Sequence, residues 1–379
     1  MPIDVTEFGS KLLRLRGRQQ LSREEVGQGT GISAARILEF ENGRVTPTGD
    51  EVLILADFFL CDYRFFISND RLAASEQTES LYRKFGDEFR KEDRRAILEF
   101  LYLCECEQSL QEELRHQKED FHFSPSGTHY KSHAEQAAKQ LRAHFSYAPN
   151  AVPSDVYDDF RRIGFHVFRR RLENSNISGI TIRHPLAGVC ILVNYDEDIY
   201  RQRFTVAHEG AHGIIDRNDD VVVSFLGRYK KASLVETRAN TFASRYLLPP
   251  TVTASIPVTK WTHQEILRWA SHFKVSTKAL AIALNEAGVI DNPTADYLAT
   301  VRVPLQEKTD PELANLSRPV EARKQGLLEK GLSASYVSLC LEAYSQGLIS
   351  GGRAAEMMLV NDFELNEITS LFNLNSQVK

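Results

Sequence analysis

From Phe204 to His212 the chain reads F-T-V-A-H-E-G-A-H. This stretch constrains the fold more than any other, because its chemistry works only on a helix. His208 and His212 are four residues apart, so on an α-helix they stack on one face. Phe204, His208, Ala211, His212 and Ile215 fall on one stripe at helical spacing, and Asp198 stands where an N-cap is expected. The pattern is H-E-x-x-H. Its two imidazoles can share a metal ion, and Zn²⁺ takes such ligands in tetrahedral sites. Glu209, beside the first histidine, is placed to act as general base on a water at that ion.

A hydrolytic metal site needs a third protein ligand and one open position. Glu236 is the candidate. It opens the run E-T-R-A-N-T-F-A, in which Ala239, Asn240 and Ala243 share its face and allow close approach to the His208 helix. A competing use exists, since Ser233-Leu234-Val235-Glu236 is also a capping-box pattern that would engage the carboxylate with a backbone amide. Asp216, Asp219 and Asp220 follow the first helix closely and read as a polar loop.

Arg203 to His212, then Glu236-x-x-Ala239-Asn240-x-Phe242-Ala243 and Leu247-Leu248-Pro249, resemble the ImmA/IrrE family of metallopeptidases over roughly residues 132–290. The resemblance implies a zincin-like domain with metal on His208, His212 and Glu236 and with Glu209 catalytic. It also implies a narrow substrate class, helix-turn-helix transcriptional repressors cut at a limited site. Gly210 stands where the family carries a bulkier residue, and a mid-helix glycine costs up to ~1 kcal/mol, which is expected to loosen the site. Zn²⁺ is the expected cofactor, although imidazole and carboxylate ligands also accept Mn²⁺.

At 379 residues the chain has room for two or three domains. A net charge of −5 excludes a globally basic nucleic-acid coat but not a local basic patch. Five scattered cysteines suit a reducing compartment. No signal-peptide pattern is evident, and the apolar run from Val52 to Leu60 is interrupted by Asp57 and too short for a bilayer. The expectation is a cytoplasmic protein without a membrane partner.

Residues 4–67 read as a helical bundle. Ser22 and Glu25 form a capping box, Thr30-Gly31-Ile32 a tight turn, and Ser33 to Phe40 a short helix ended by Glu41-Asn42-Gly43. This segment resembles the XRE-type helix-turn-helix. The resemblance implies double-stranded DNA as partner, with Ser33, Ala34, Ala35 and Arg36 facing the major groove and Arg36 able to read guanine. Arg14, Arg16, Arg18 and Arg23 are candidate phosphate contacts. A homodimer is expected, because such modules read paired half-sites. Acidic residues outnumber basic ones here, so a module that grips only protein is the competing reading.

The expected fold is α+β and mostly helical. Its parts are a helix-turn-helix domain over 1–70, a helical linker over 71–130, a metallopeptidase domain over 131–292 and a helical module over 293–379. The linker helix is expected from Thr78 to Gln117, and Ser132 to Glu135 reads as a capping box. Residues 164–168, 180–182 and 189–194 read as strands of a small antiparallel sheet able to pair with an extended substrate. Thr262 to Glu265 caps a later helix. Tyr229, Tyr246 and His263 are candidate oxyanion donors. Gly347 to Glu356 resembles the start of a small helical DNA-binding module, with dimerisation or sensing as competing roles. Two functions follow: a regulatory endopeptidase that inactivates a repressor, or a DNA-binding regulator whose peptidase-like domain only senses a signal or partner.

Overall fold

The computed structural model describes residues 3–59, 61, 63–67, 89–126, 130–216, 221–225, 234–257 and 260–376. Contacts divide the chain into two compact units, Met1–Cys106 and Glu107–Lys379.

The first unit begins with five helices, α1 (Val5–Arg18), α2 (Arg23–Thr30), α3 (Ala34–Glu41), α4 (Gly49–Phe58) and α5 (Arg64–Ile67). Capping residues set their boundaries. Ser22 and Glu25 cap α2 reciprocally, as do Thr48 and Glu51 for α4. Gly31 ends α2 with φ +74°, a conformation that costs a glycine little, and Ser33 opens α3. Phe8, Leu12, Val26, Ile37, Phe40 and Leu55 fill the core between them. The division between the units falls within α6 (Lys91–Glu113). The part of the expected 78–117 helix before residue 89, with Leu81 and Phe85, lies outside the described residues.

The second unit continues with α7 (Tyr130–His144) and α8 (Val156–Arg162), then three strands, β1 (His166–Arg170), β2 (Ile177–His184) and β3 (Gly188–Asn194). The H-E-x-x-H helix is α9 (Ile199–Ile215), followed by β4 (Val221–Phe225) and α10 (Leu234–Leu247). Ser132 lies inside α7 and accepts from the Gln136 side chain at 3.0 Å, so it is not the cap expected there.

The sheet order is β1-β3-β2-β4. It is mixed rather than wholly antiparallel: β1 runs parallel to β3, while β2 pairs antiparallel with both neighbours. The edge strand β4 lies beyond the three expected strands. Its pairing with β2 shifts between Ile177 and Gly179, which marks a bulge at Ser178. Apolar residues of α7, α8, α9, α10 and the sheet form one core that includes Leu141, Phe160, Val193, Val206, Phe242 and Tyr246.

Behind α10 come α11 (Pro250–Ala254), α12 (His263–Phe273), α13 (Thr277–Glu286) and α14 (Asn292–Thr300). Thr262 caps α12 as expected. The chain ends in α15 (Arg318–Glu329), α16 (Ala334–Ser345), α17 (Gly351–Met357) and α18 (Asp362–Ser376). A buried ionic knot ties the connection before α15 to the sheet. Arg169 of β1 donates to Asp310 at 2.6 Å and pairs with Glu312, which also accepts from Arg161 at 3.2 Å. Among the described residues no helix is long and apolar enough to cross a membrane.

Candidate metal centre and helix-turn-helix face

Helix α9 starts where Asp198 accepts from the Tyr200 amide at 3.0 Å, so the cap and the histidine spacing belong to one helix. His208, Glu209 and His212 are all buried. Helix α10 packs on α9 and carries Glu236 in its first turn. One ligand atom from each of His208, His212 and Glu236 lies within 4.8 Å of the others. The Glu236 carboxylate is 3.3 Å from His208 Nε2 and 3.6 Å from His212 Nε2. The carboxylate thus faces the imidazoles. Ser233, the partner in the alternative capping box, lies outside the described residues.

The outer nitrogens of the two rings decide what the inner ones can do. His208 Nδ1 lies 3.0 Å from the Asn240 side-chain oxygen, and His212 Nδ1 lies 2.7 Å from Asp216 Oδ2. An oxygen beside each Nδ1 favours the tautomer with its proton on Nδ1, and in that tautomer Nε2 is the nitrogen that can ligate a metal. These two Nε2 atoms are 3.2 Å apart, with the carboxylate beside them. Two Nε2 atoms and a half-buried carboxylate placed this close together can hold a cation. The donor set, two imidazoles and a carboxylate, suits Zn²⁺ and leaves a tetrahedral position open. The residues present fit the ion. No cysteine belongs to this cluster.

Glu209 is fully buried and held from one side only. Thr181 of β2 donates to its Oε2 at 2.6 Å, while Oε1 has no hydrogen-bond partner among the described residues. Space for the carboxylate comes from Gly179, where a Cβ would stand 2.9 Å from Oε1. A glycine inside a strand often marks such a close approach. Arg183, also on β2, donates to the carbonyls of His212 and Gly213 at 3.2 and 2.8 Å and so closes the last turn of α9.

Five supporting residues escaped the sequence reading. Asp216 stands in a stretch whose sequence reads as a polar loop, yet it is the buried C-cap of α9 and also pairs with Arg238 of α10. Asn240 was valued only for its place on the face of Glu236. Arg238, Thr181 and Gly179 were not singled out, although a glycine within an apolar run was a usable signal. The expectation that Gly210 loosens the site is corrected: a Cβ there would come within 2.1 Å of the Phe160 ring, so the glycine allows tight packing. Tyr246 is corrected as an oxyanion candidate, because it is buried and donates to Asp159 at 2.7 Å. His263 is exposed at the start of α12, and Tyr229 lies outside the described residues.

In the first unit, Ser33 and Ala35 are exposed, and Ala34 and Arg36 partly so. Ser33 accepts from the Arg36 amide as the cap of α3. The Arg36 guanidinium pairs with Glu51, donating through Nη2 at 2.9 Å, and lies 5.0 Å over the Phe40 ring. Arg23 donates to Glu41 at 2.7 Å, and Arg16 binds the same carboxylate. Both Arg36 and Arg23 thus have acidic partners within the domain.

The chain is largely helical, with a small mixed sheet beside the helix that carries H-E-x-x-H. Residues 160–285 match the IrrE N-terminal-like domain family, and residues 7–62 match a helix-turn-helix domain family. The chain therefore joins a helix-turn-helix domain to an IrrE N-terminal-like domain. It is also 29% identical over 110 residues to the cryptic phage CTXphi transcriptional repressor RstR of Vibrio cholerae, which covers 28% of this chain and 99% of the repressor.

Proposed function

We propose that this chain is a regulatory zinc endopeptidase that binds double-stranded DNA and inactivates a helix-turn-helix repressor by cutting it, so that the repressed genes are released. The observation that carries this reading is the convergence of the two Nε2 atoms and the Glu236 carboxylate, with an oxygen beside each Nδ1. His208, His212 and Glu236 hold the ion. The ion, when bound, supplies Lewis acidity that makes water nucleophilic near neutral pH. Glu209 takes the proton from the attacking water and passes it to the leaving amine. Thr181 keeps one carboxylate oxygen occupied, so the other is available for that transfer. The edge strand β4 offers backbone pairing to an extended segment of substrate.

The helix-turn-helix domain, through Ser33, Ala34, Ala35, Arg36 and Arg23, places the peptidase near promoter-bound repressor and raises its effective concentration there. The test is co-incubation with the regulator encoded beside this chain, read by mass spectrometry with and without chelator. Glu209→Gln should keep metal and DNA binding and lose cleavage. Cleavage by that variant at the wild-type rate would overturn the mechanism.

The likeness to a phage repressor supports a second reading, in which the chain is itself a DNA-binding regulator and the metal centre only senses an ion or partner. On that reading chelation changes DNA affinity, no peptide bond is cut, and Glu209→Gln changes nothing.

A further inference from the structure

We propose that the groove between α15 and α18 docks a second copy of this chain. The argument begins with the Gly347–Glu356 motif. Ser350 caps α17, Leu359 follows the helix with φ +54°, and Asn361 opens α18 by exchanging hydrogen bonds with Glu364 at 3.0 and 2.9 Å. In the N-terminal domain Ser22 caps α2, Gly31 has φ +74°, and Ser33 opens α3. The spacing from cap to left-handed residue to next cap is the same in both. Helices α17 and α18 thus form a second helix-turn-helix. Tyr336 holds it closed by donating to the Met357 carbonyl at 2.7 Å.

The second helix of this unit is unsuited to DNA. Its sequence, DFELNEITSLFNLNS, has Asp362, Glu364 and Glu367 near its start and no lysine or arginine. A helix that enters the major groove passes between phosphates, where these carboxylates are repelled. Protein is the better partner.

Which protein is argued from the groove. It encloses about 240 Å³ over a floor that includes Leu327, Ile368 and Leu371. Arg323 and Lys330 stand on the α15 side, and Glu364 and Glu367 on the α18 side. Gly326 leaves the α15 lip bare, since a Cβ there would meet nothing within 4 Å. One basic wall and one acidic wall make the groove its own electrostatic complement. In a two-fold contact the basic wall of each copy meets the acidic wall of the other. Lys330 and Glu364 pair within one copy at 3.3 Å, with side chains 58% and 37% exposed, so both keep capacity for a second partner. Reading paired DNA half-sites requires two copies, and to that extent the inference rests on the DNA-binding reading above.

The test is sedimentation of the full chain, without DNA or substrate, at micromolar concentration. The wild type should be a dimer. Arg323→Glu and Glu367→Arg should each raise the dissociation constant by at least about tenfold. An equimolar mixture of the two variants should recover the dimer, because opposite charges then face each other at both contacts, exchanged at one and native at the other. Unchanged circular dichroism and zinc content separate loss of pairing from misfolding. A monomeric wild type, variants that still dimerise, or a mixture that stays monomeric would each overturn the proposal. So would cross-linking of α18 to a DNA duplex or to a co-purified repressor in place of a second copy. Loss of peptidase activity alone would leave the dimer intact, which separates failure of this inference from failure of the enzymatic reading.

Discussion

His212 Nδ1 lies 2.7 Å from Asp216 Oδ2, and the other oxygen of that carboxylate meets Arg238 from the helix that carries Glu236. The H-E-x-x-H helix and the Glu236 helix are therefore joined behind the site as well as across it. Asp216 orients the imidazole and makes its Nε2 more basic. Replacing Asp216 with Ala should weaken zinc affinity by about 10–100-fold. Competition with a chromophoric chelator measures this, and unchanged affinity would remove Asp216 from the site.

Gly210 faces the Phe160 ring, where an added Cβ would stand 2.1 Å away. Gly210→Ala should destabilise the second unit by about 1–3 kcal/mol through overpacking, despite the better helix propensity of alanine. Urea unfolding reads the loss. Phe160→Leu in the same chain should recover part of it, and a stabilised Gly210→Ala would show that α8 yields more easily than its packing implies.

Glu312 gives the second unit a defined pH response. Burial acts to raise its pKa, but the charges of Arg169 and Arg161 and their hydrogen bonds prevail and hold it below the ordinary value of 4.5. A lowered folded-state pKa contributes stability that is full above the unfolded value and is lost as pH falls through the folded one. Stability should therefore decline below about pH 4.5. Glu312→Gln should remove part of that decline and cost about 3 kcal/mol at neutral pH, because Arg161 and Arg169 lose a buried partner. Thermal melts across pH test both; an unchanged acid limb would refute the assignment.

Arg36 pairs with Glu51 and lies over Phe40. To read a guanine it has to leave the carboxylate. Glu51→Gln should then tighten binding to operator DNA by about tenfold, the scale of one base contact. The Thr48 amide keeps an acceptor, since glutamine retains a side-chain oxygen. Fluorescence anisotropy with a labelled duplex measures the change, and equal affinities would mean that Arg36 makes no base contact.

Local pattern carried much of this protein. The histidine spacing, the Asp198 cap, the Ser22–Glu25 box, the turn glycine at 31 and the Thr262 cap all act within one or two helical turns, and the structure bears each of them out. Glu236 was legible because it starts a helix whose small face lets α10 approach α9. Its neighbours' duties were not legible. Thr181 reaches Glu209 from a strand, Glu51 meets Arg36 from the next helix, and Gly210 answers to a ring on α8. Ser132 misled because a capping pattern is indifferent to whether a helix has already begun.

The sequence by itself determined which residues could meet a metal and which segments would be helices, because periodicity and capping are short-range effects. Only the tertiary structure decided which oxygen stands beside each histidine's Nδ1, how the Glu209 carboxylate is seated, and that β1 runs parallel to β3. Those outcomes depend on contacts between residues far apart in the chain, and such contacts form only when the core packs.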